Sequence, residues 1–253
     1  MNANSEVQLN RHRRASERKQ RSGFTLIVCL VVLAILAVLA ALFLPSIRSS
    51  REPTRRSQCK NNLKQIGLAL HNYHDTYQAF PPAYTVDAQG KPLHSWRTLI
   101  LPFAEQQALY DKIDLSKPWD DPANAEALKT CPNFYRCPST NGPSEQATYL
   151  AIAGPEGCLS TTHPRPISEI TDGTSNTLMV VEVPMANAVP WMSPQDADET
   201  LLPSFGEKTL RQHTGGLHGV LADGAVRFLS AKLPPATWKG LCTVAGHEPL
   251  GEF

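Results

Sequence analysis

The sequence lacks an excess of charge of either sign, because 24 Lys and Arg residues stand against 23 Asp and Glu residues, a formal net charge of +1. Proteins that clamp nucleic acid usually carry a strongly basic domain, so we expect no nucleic-acid partner. Aromatic residues are scarce at 7% of the chain, whereas hydrophobic residues reach 42%. This composition predicts a largely aliphatic core and excludes disorder throughout.

Common catalytic signatures are also missing. The chain contains no G-x-S-x-G elbow, no H-E-x-x-H zinc motif, no P-loop and no dinucleotide-binding fingerprint. Its carboxylates are not paired in a way that would give a general acid and a general base. The sequence therefore predicts a protein that is not an enzyme and that has no cofactor and no metal.

One long apolar run dominates the N-terminal part of the chain. Residues 24–44 contain no charged side chain, and as a helix at about 1.5 Å per residue they would match a hydrocarbon core of about 30 Å. This pattern predicts a single transmembrane helix after a basic leader, residues 1–23. The run ends without a small-residue cleavage site, so we expect the helix to stay in the mature protein. Basic residues on both sides leave its orientation open.

The junction between leader and apolar run, RSGFTLI at residues 21–27, resembles the prepilin processing signal. In that signal a membrane peptidase cuts after the Gly on the cytoplasmic side and methylates the new N-terminal Phe. The resemblance implies cleavage between Gly23 and Phe24, with the leader cytoplasmic and the C-terminal domain extracytoplasmic. It implies membrane lipid, prepilin peptidase, and other pilin-like subunits or a secretion machinery as partners.

One residue departs from the prepilin pattern. Type IV pilins and most pseudopilins have Glu at the fifth position of the mature chain, where this sequence has Val28. A carboxylate within lipid is costly and persists where a partner charge meets it. The absence of this Glu favours a minor or tip subunit, or an anchored protein that uses the prepilin signal only for delivery to the membrane, over a major pilin.

Residues 45–80 read as an amphipathic continuation of the membrane helix. Leu63, Ile66, Leu70 and Tyr73 follow one another at spacings of three and four, the period of one helix face. Two prolines end the pattern directly afterwards. We expect this segment to lie on a globular domain.

Residues 81–253 read as an extracytoplasmic α+β domain. The patterns predict strands at residues 148–153, 177–183, 217–221 and 226–229, with a hairpin turn at Asp223-Gly224. Around these strands we expect extended chain from Trp96, a short helix after Pro102 and another over residues 121–128. The predicted fold is α+β and type IV pilin-like: a long N-terminal helix packed on a small antiparallel sheet with long loops.

Several motifs together resemble the prepilin-like proteins grouped as domain of unknown function 1559, which carry an H-x9-D-G signature near the C-terminus. They are CKNNLKQIGLALHNYHD from Cys59, YRCPS at residues 135–139, ITDGTSNT at residues 170–177, and His213 followed by nine residues and Asp223-Gly224. The resemblance implies a pilin-like architecture and delivery route. It implies no biochemical activity, because the family has none assigned.

The signature itself has two interpretations. In the favoured one, Asp223-Gly224 is a hairpin turn and His213 braces it or caps a loop. In the other, His213, His218 and Asp223 form a metal or ligand site, to which His71 or His74 adds a further donor.

Cysteine placement bears on the compartment. Of six cysteines, Cys29 lies in the apolar run, and the other five would lie where disulfides persist. An odd number leaves one thiol free or paired between chains. A Cys131–Cys137 pair closes the shortest loop, and a Cys137–Cys158 pair is the alternative.

Two functions remain from the sequence. The first is a non-enzymatic pseudopilin-like subunit of the inner (cytoplasmic) membrane that works with a type II secretion or type IV pilus-like system. The second is a single-pass envelope protein whose outer domain binds a ligand or glycan, with Trp191 either on the binding surface or covering a sheet edge.

Overall fold

The structure is a computed structural model that describes residues 28–39, 51–198, 200–202, 213–251 and 253. It contains two compact units, Met1–Glu52 and Pro53–Phe253. In the first unit, residues 28–39 form a helix, α1, with exposed side chains. None of the helices in the described ranges is both long and apolar enough to cross a membrane. The predicted transmembrane helix is therefore not confirmed, and the predicted cleavage site at Gly23 and Phe24 lies outside the described residues.

The second helix, α2 (Arg51–Tyr77), carries one apolar face. Cys59, Leu63, Ile66 and Leu70 are fully buried, because spacings of four, three and four place them on the same side of the helix. The exposed side includes Leu68, which is 63% exposed. The predicted amphipathic helix is confirmed over these positions, and residues 45–50 lie outside the described part of the chain.

A four-stranded antiparallel sheet forms the centre of the second unit. Its strand order is β4-β5-β7-β8, formed by Tyr149–Ala151, Leu178–Glu182, Gly216–Leu221 and Val226–Ser230. Every residue of β5 and β7 is buried, as expected for inner strands. All four strands fall within the predicted ranges or one residue outside them, so the α+β class with a small antiparallel sheet is confirmed.

The hairpin between β7 and β8 turns at the predicted place. Gly224 has φ of +82°, a conformation that glycine adopts without steric cost, and Asp223 Oδ1 accepts a hydrogen bond of 2.8 Å from Ala225 N. A Cβ atom on Gly67 of α2 would lie 3.0 Å from Val220 Cγ2 in β7. The helix thus approaches the sheet closely, and Gly67 permits that approach.

The segment after Ser95 corrects one prediction. The sequence pattern predicts extended chain from Trp96, but the helix α3 (Trp96–Leu99) begins there, because Ser95 Oγ accepts a hydrogen bond from Arg97 N and caps it. Two small two-stranded pairings and a C-terminal helix have no counterpart among the predicted elements. These elements are β1 (Tyr84–Val86) with β2 (Pro92–Ser95), β3 (Gln146–Ala147) with β6 (Val189–Pro190), and α6 (Pro235–Cys242). Two short helices complete the unit, α4 (Gln107–Tyr110) and α5 (Ala125–Leu128).

A buried arginine ties α3 to a distant loop. Arg97 Nη1 lies 2.6 Å from Asp196 Oδ1, with both side chains almost completely buried. Its other nitrogens donate to the carbonyl oxygens of Trp191, Ser193 and Gln195. Trp191 is itself fully buried, so it is not part of an exposed binding surface.

Candidate metal centre

Four buried side chains from distant parts of the chain meet on one side of the sheet. They are Cys59, Cys137, Glu182 and His213, and one potential ligand atom from each lies within 4.8 Å of all the others. We call these four residues the four-ligand cluster. They are the richest convergence of metal-ligating side chains among the residues that the structure describes.

The two sulfurs come from a helix and a loop. Cys59 lies on the buried face of α2, in register with Leu63 and Ile66, so its side chain points into the core. Cys137 follows a 3-10 turn at Asn133–Tyr135. Its backbone N donates a 2.8 Å hydrogen bond to Thr148 Oγ1, which fixes the loop beside the start of β4.

The carboxylate comes from the sheet. Glu182 ends β5 and pairs with Tyr149 of β4. On its other side, continuing the register of Val181 with Gly219, it lies opposite His218 of β7. His218 N donates to Glu182 Oε2 at 3.3 Å, and His218 Nδ1 lies 3.5 Å from the same oxygen. His218 thereby holds one carboxylate oxygen and leaves Oε1 to face the cluster.

One imidazole nitrogen lies close to all three of the other ligand atoms. His213, which precedes β7, places Nε2 at 3.2 Å from Cys59 Sγ, 3.6 Å from Cys137 Sγ and 3.3 Å from Glu182 Oε1. An imidazole nitrogen carries at most one hydrogen, so Nε2 cannot donate to all three neighbours. Glu182 Oε1 accepts no hydrogen bond of acceptable geometry. A buried carboxylate oxygen in that condition is costly unless something else compensates it.

Electrostatics favour negative charge on two of the four ligands. The hydrogen bond from Cys137, and then the one from His213, lower the pKa of Cys59 to about 6 in spite of its burial. Burial alone would raise the pKa of Glu182, but the two neighbouring imidazoles, His213 and His218, more than offset it and lower that pKa to about 2. Both shifts favour the ionised forms of Cys59 and Glu182, the forms in which these side chains bind a metal ion.

The pKa values of two neighbouring acids, Cys137 and Tyr149, shift in the opposite direction. The hydrogen bond to Cys59 and burial raise the pKa of Cys137. Burial, followed by the charges of Cys59 and Cys137, raises the pKa of Tyr149 well above its ordinary value. Tyr149 Oη is also buried without a hydrogen-bond partner. The surroundings thus resist further negative charge unless a positive charge balances it.

The types of ligand atom in the four-ligand cluster indicate which metal ion it would bind and in what kind of site. Two sulfurs, one imidazole nitrogen and one carboxylate oxygen are ligands of Zn²⁺, and sites with four protein ligands are structural. Catalytic zinc sites keep a coordination position for water or substrate. The four-ligand cluster supplies four protein ligands from buried side chains, so its arrangement matches a structural site.

The structure separates the two halves of the H-x9-D-G signature. His213 lies before β7 and Asp223 lies beyond its end, and a strand of six residues spans about 20 Å. Asp223 is exposed in the hairpin turn, where His71 lies against Gly224. The rings of His213 and His218 do lie together, with centroids 5.2 Å apart, but Asp223 does not join them.

The cysteines considered for disulfides are free thiols in the structure. Cys131, Cys137 and Cys158 form no bond with one another, because Cys137 faces Cys59 on α2 instead. Burial raises the pKa of Cys131 and that of Cys158 to about 12. Both are therefore thiols at neutral pH and poor nucleophiles.

Sequence reasoning missed Cys59 and Glu182 as site residues, since no local spacing connects the four ligands. A weaker signal was present. Cys59, Cys137 and His213 each belong to a motif that carries the family resemblance: CKNN, YRCPS and the H-x9-D-G signature. Taking the sulfur and nitrogen donors of those motifs together would have pointed to three of the four residues.

Comparison with known proteins supports the resemblance over part of the chain. The family described as "Protein of unknown function (DUF1559)" matches residues 48–165. No curated protein and no solved structure matches the chain. The matched segment is similar to that family, and it contains Cys59 and Cys137 but ends before Glu182 and His213.

Proposed function

We propose that this protein is a non-enzymatic, pseudopilin-like subunit, processed by prepilin peptidase between Gly23 and Phe24. In this proposal residues 24–44 anchor it in the inner membrane, and the α+β domain lies outside the cytoplasm. It acts with a type II secretion or type IV pilus-like system. Its partners are membrane lipid, the peptidase, and other pilin-like subunits or the secretion machinery.

The observation that carries the proposal is the packing of α2 on the sheet. An amphipathic helix immediately after an apolar run, with one face buried against a four-stranded antiparallel sheet, is the arrangement expected of a pilin-like head. The family match begins at residue 48 and includes all of α2. The prepilin-like motif at residues 21–27 adds the processing route.

The alternative of a ligand- or glycan-binding envelope domain loses its best candidate residue. For that function the sequence offered Trp191 as part of a binding surface, or else as a cover for a sheet edge, whereas Trp191 is fully buried. Its ring stacks on Tyr135 with centroids 6.1 Å apart. Its position is explained by core packing, so the pseudopilin-like proposal is preferred.

Processing is tested by mass spectrometry and N-terminal sequencing of the full chain extracted from membranes, with and without prepilin peptidase. We expect a mature chain that begins at N-methylated Phe24 only when the peptidase is present. Gly23→Val should block cleavage, and Ser22→Ala serves as the matched control that should still be cut. An uncut wild-type chain in the presence of the peptidase would contradict the proposal.

Assembly is tested by thiol crosslinking in membranes. Cys29 is exposed on α1, so helices that pack side by side should give crosslinked subunits that disappear in Cys29→Ser. A processed protein that yields no crosslink through Cys29 would instead be a solitary anchor. That result would refute the assembly part of the proposal.

A further inference from the structure

We propose that Cys59, Cys137, Glu182 and His213 bind one structural Zn²⁺ ion that fastens α2 to the sheet. This inference concerns residues of the second unit alone. It is therefore independent of membrane anchoring and of processing, and either proposal can fail while the other stands.

The three separations measured from His213 Nε2 agree with a tetrahedral zinc site. With Zn–S of about 2.3 Å and Zn–N and Zn–O of about 2.0–2.2 Å, a tetrahedron separates sulfur from nitrogen by about 3.6 Å and nitrogen from oxygen by about 3.4 Å. The observed separations from His213 Nε2 are 3.2 and 3.6 Å to the two sulfurs. The separation from Nε2 to Glu182 Oε1 is 3.3 Å. These three separations differ from the tetrahedral values by a few tenths of an ångström, and all the other ligand-atom pairs lie within 4.8 Å.

The alternative, a cluster held by hydrogen bonds alone, leaves polar groups unsatisfied. Only one of the three atoms around His213 Nε2 can receive its hydrogen, and Glu182 Oε1 has no hydrogen-bond partner. A central cation satisfies both sulfurs, the nitrogen and this oxygen together. Zinc binds cysteine as the thiolate, so binding would release any proton held by the two cysteine sulfurs to solvent.

Residues around the cluster supply the outer support that metal sites usually have. His218 holds the second oxygen of Glu182 through its backbone N at 3.3 Å. Thr148 Oγ1 accepts from Cys137 N at 2.8 Å and orients that ligand. A polar groove that includes Gln58 and Asn62 of α2 reaches Cys137, which gives an entry path for the ion.

The positions of the four ligands in the fold explain how the ion would stabilise the protein. One comes from α2, one from the loop before β4, one from β5 and one from the segment before β7, so a single ion links segments that are remote in sequence. Because such a site is absent in the unfolded chain, metal binding free energy becomes folding free energy. The ion would hold α2 on the sheet, the same packing on which a pilin-like head depends.

Metal content of the full chain tests the proposal. The protein is extracted from membranes with detergent, purified without metal-affinity resin, and analysed by inductively coupled plasma mass spectrometry. We expect about one zinc per chain, with at least a tenfold loss in Cys59→Ser and in Cys137→Ser, since each removes one of four ligands. Cys131→Ser is the matched control, because Cys131 lies outside the cluster, and it should retain zinc.

A second measurement does not depend on the folding of variants. Removal of zinc from the wild-type chain by a chelator should lower its Tm by roughly 8–16 °C if zinc is present at about a thousand times its Kd. Adding zinc back should restore the Tm.

Three results would overturn the proposal. The first is a wild-type chain that neither contains zinc nor takes it up. The second is iron or copper in its place. The third is a Cys59–Cys137 disulfide in the protein as extracted, detected as a mass lower by two hydrogens and as resistance of both thiols to alkylation before reduction.

Discussion

The buried Arg97–Asp196 pair gives a sharp stability prediction. Asp196 accepts hydrogen bonds from Arg97 Nη1 at 2.6 Å, Trp96 Nε1 at 3.0 Å and Ala151 N at 2.8 Å. Asp196→Ala deprives all three donors of this acceptor and leaves a guanidinium buried without its counter-ion. Breaking a buried pair from one side costs about 3–5 kcal/mol. Asp196→Ala should therefore reduce the free energy of unfolding by that amount.

The loss is large enough to measure in the full chain. For a domain of this size it corresponds to a fall in Tm of roughly 6–20 °C, and urea denaturation followed by circular dichroism gives the free energy of unfolding directly. Asp196→Asn keeps an acceptor for Trp96 and Ala151 but loses the charge, so its cost should be intermediate.

An exposed ion pair provides the matched control. Lys112 Nζ and Glu126 Oε1 lie 3.7 Å apart, with side chains 62% and 86% exposed. Because solvent screens such pairs, Glu126→Ala should leave the free energy of unfolding unchanged within error. If Asp196→Ala proved as harmless as Glu126→Ala, the argument from burial would be refuted.

Two further predictions concern backbone space and pH. A Cβ on Gly216 would collide with the backbone oxygen of Leu229, whereas one on Gly215, at φ of +90°, meets nothing within 4 Å. In urea titrations Gly216→Ala should lower the free energy of unfolding by about 3 kcal/mol and Gly215→Ala by about 1–2 kcal/mol. Equal losses would contradict the close contact between Gly216 and Leu229. Burial lowers the pKa of His94, so the unfolded chain takes up its proton first and wild-type stability falls as pH drops below about 6.5. His94→Gln should reduce the slope of unfolding free energy against pH below pH 6.5 by at most about 1.4 kcal/mol per pH unit. Identical pH profiles for the wild-type chain and His94→Gln would refute the effect.

Local sequence patterns were sufficient to predict the buried face of α2 and the hairpin between β7 and β8. The helical spacing of Leu63, Ile66 and Leu70 identified the buried face of α2, since the period of a helix fixes which residues share a side. Asp223-Gly224 identified the hairpin, since a turn requires a residue that tolerates positive φ. Both features depend on residues close together in sequence.

Features that depend on distant contacts were missed. The helix at Trp96 is an exception, because its cap at Ser95 is a local signal and the prediction of extended chain overlooked it. The four-ligand cluster forms only after α2, β5 and β7 are packed. The spacing of the cysteines favoured disulfide pairs between residues close in sequence. In the structure Cys137 lies beside Cys59 of α2, from which it is separated by several helices and strands.

X-ray absorption spectroscopy at the zinc edge, on the full chain as extracted, is the most direct test of the metal centre. The account predicts two sulfur ligands at about 2.3 Å and two nitrogen or oxygen ligands at about 2.0–2.2 Å. In Cys131→Ser this ligand shell should not change. A spectrum with no sulfur ligands, or a chain without zinc, would contradict the assignment of Cys59, Cys137, Glu182 and His213 as a structural metal site.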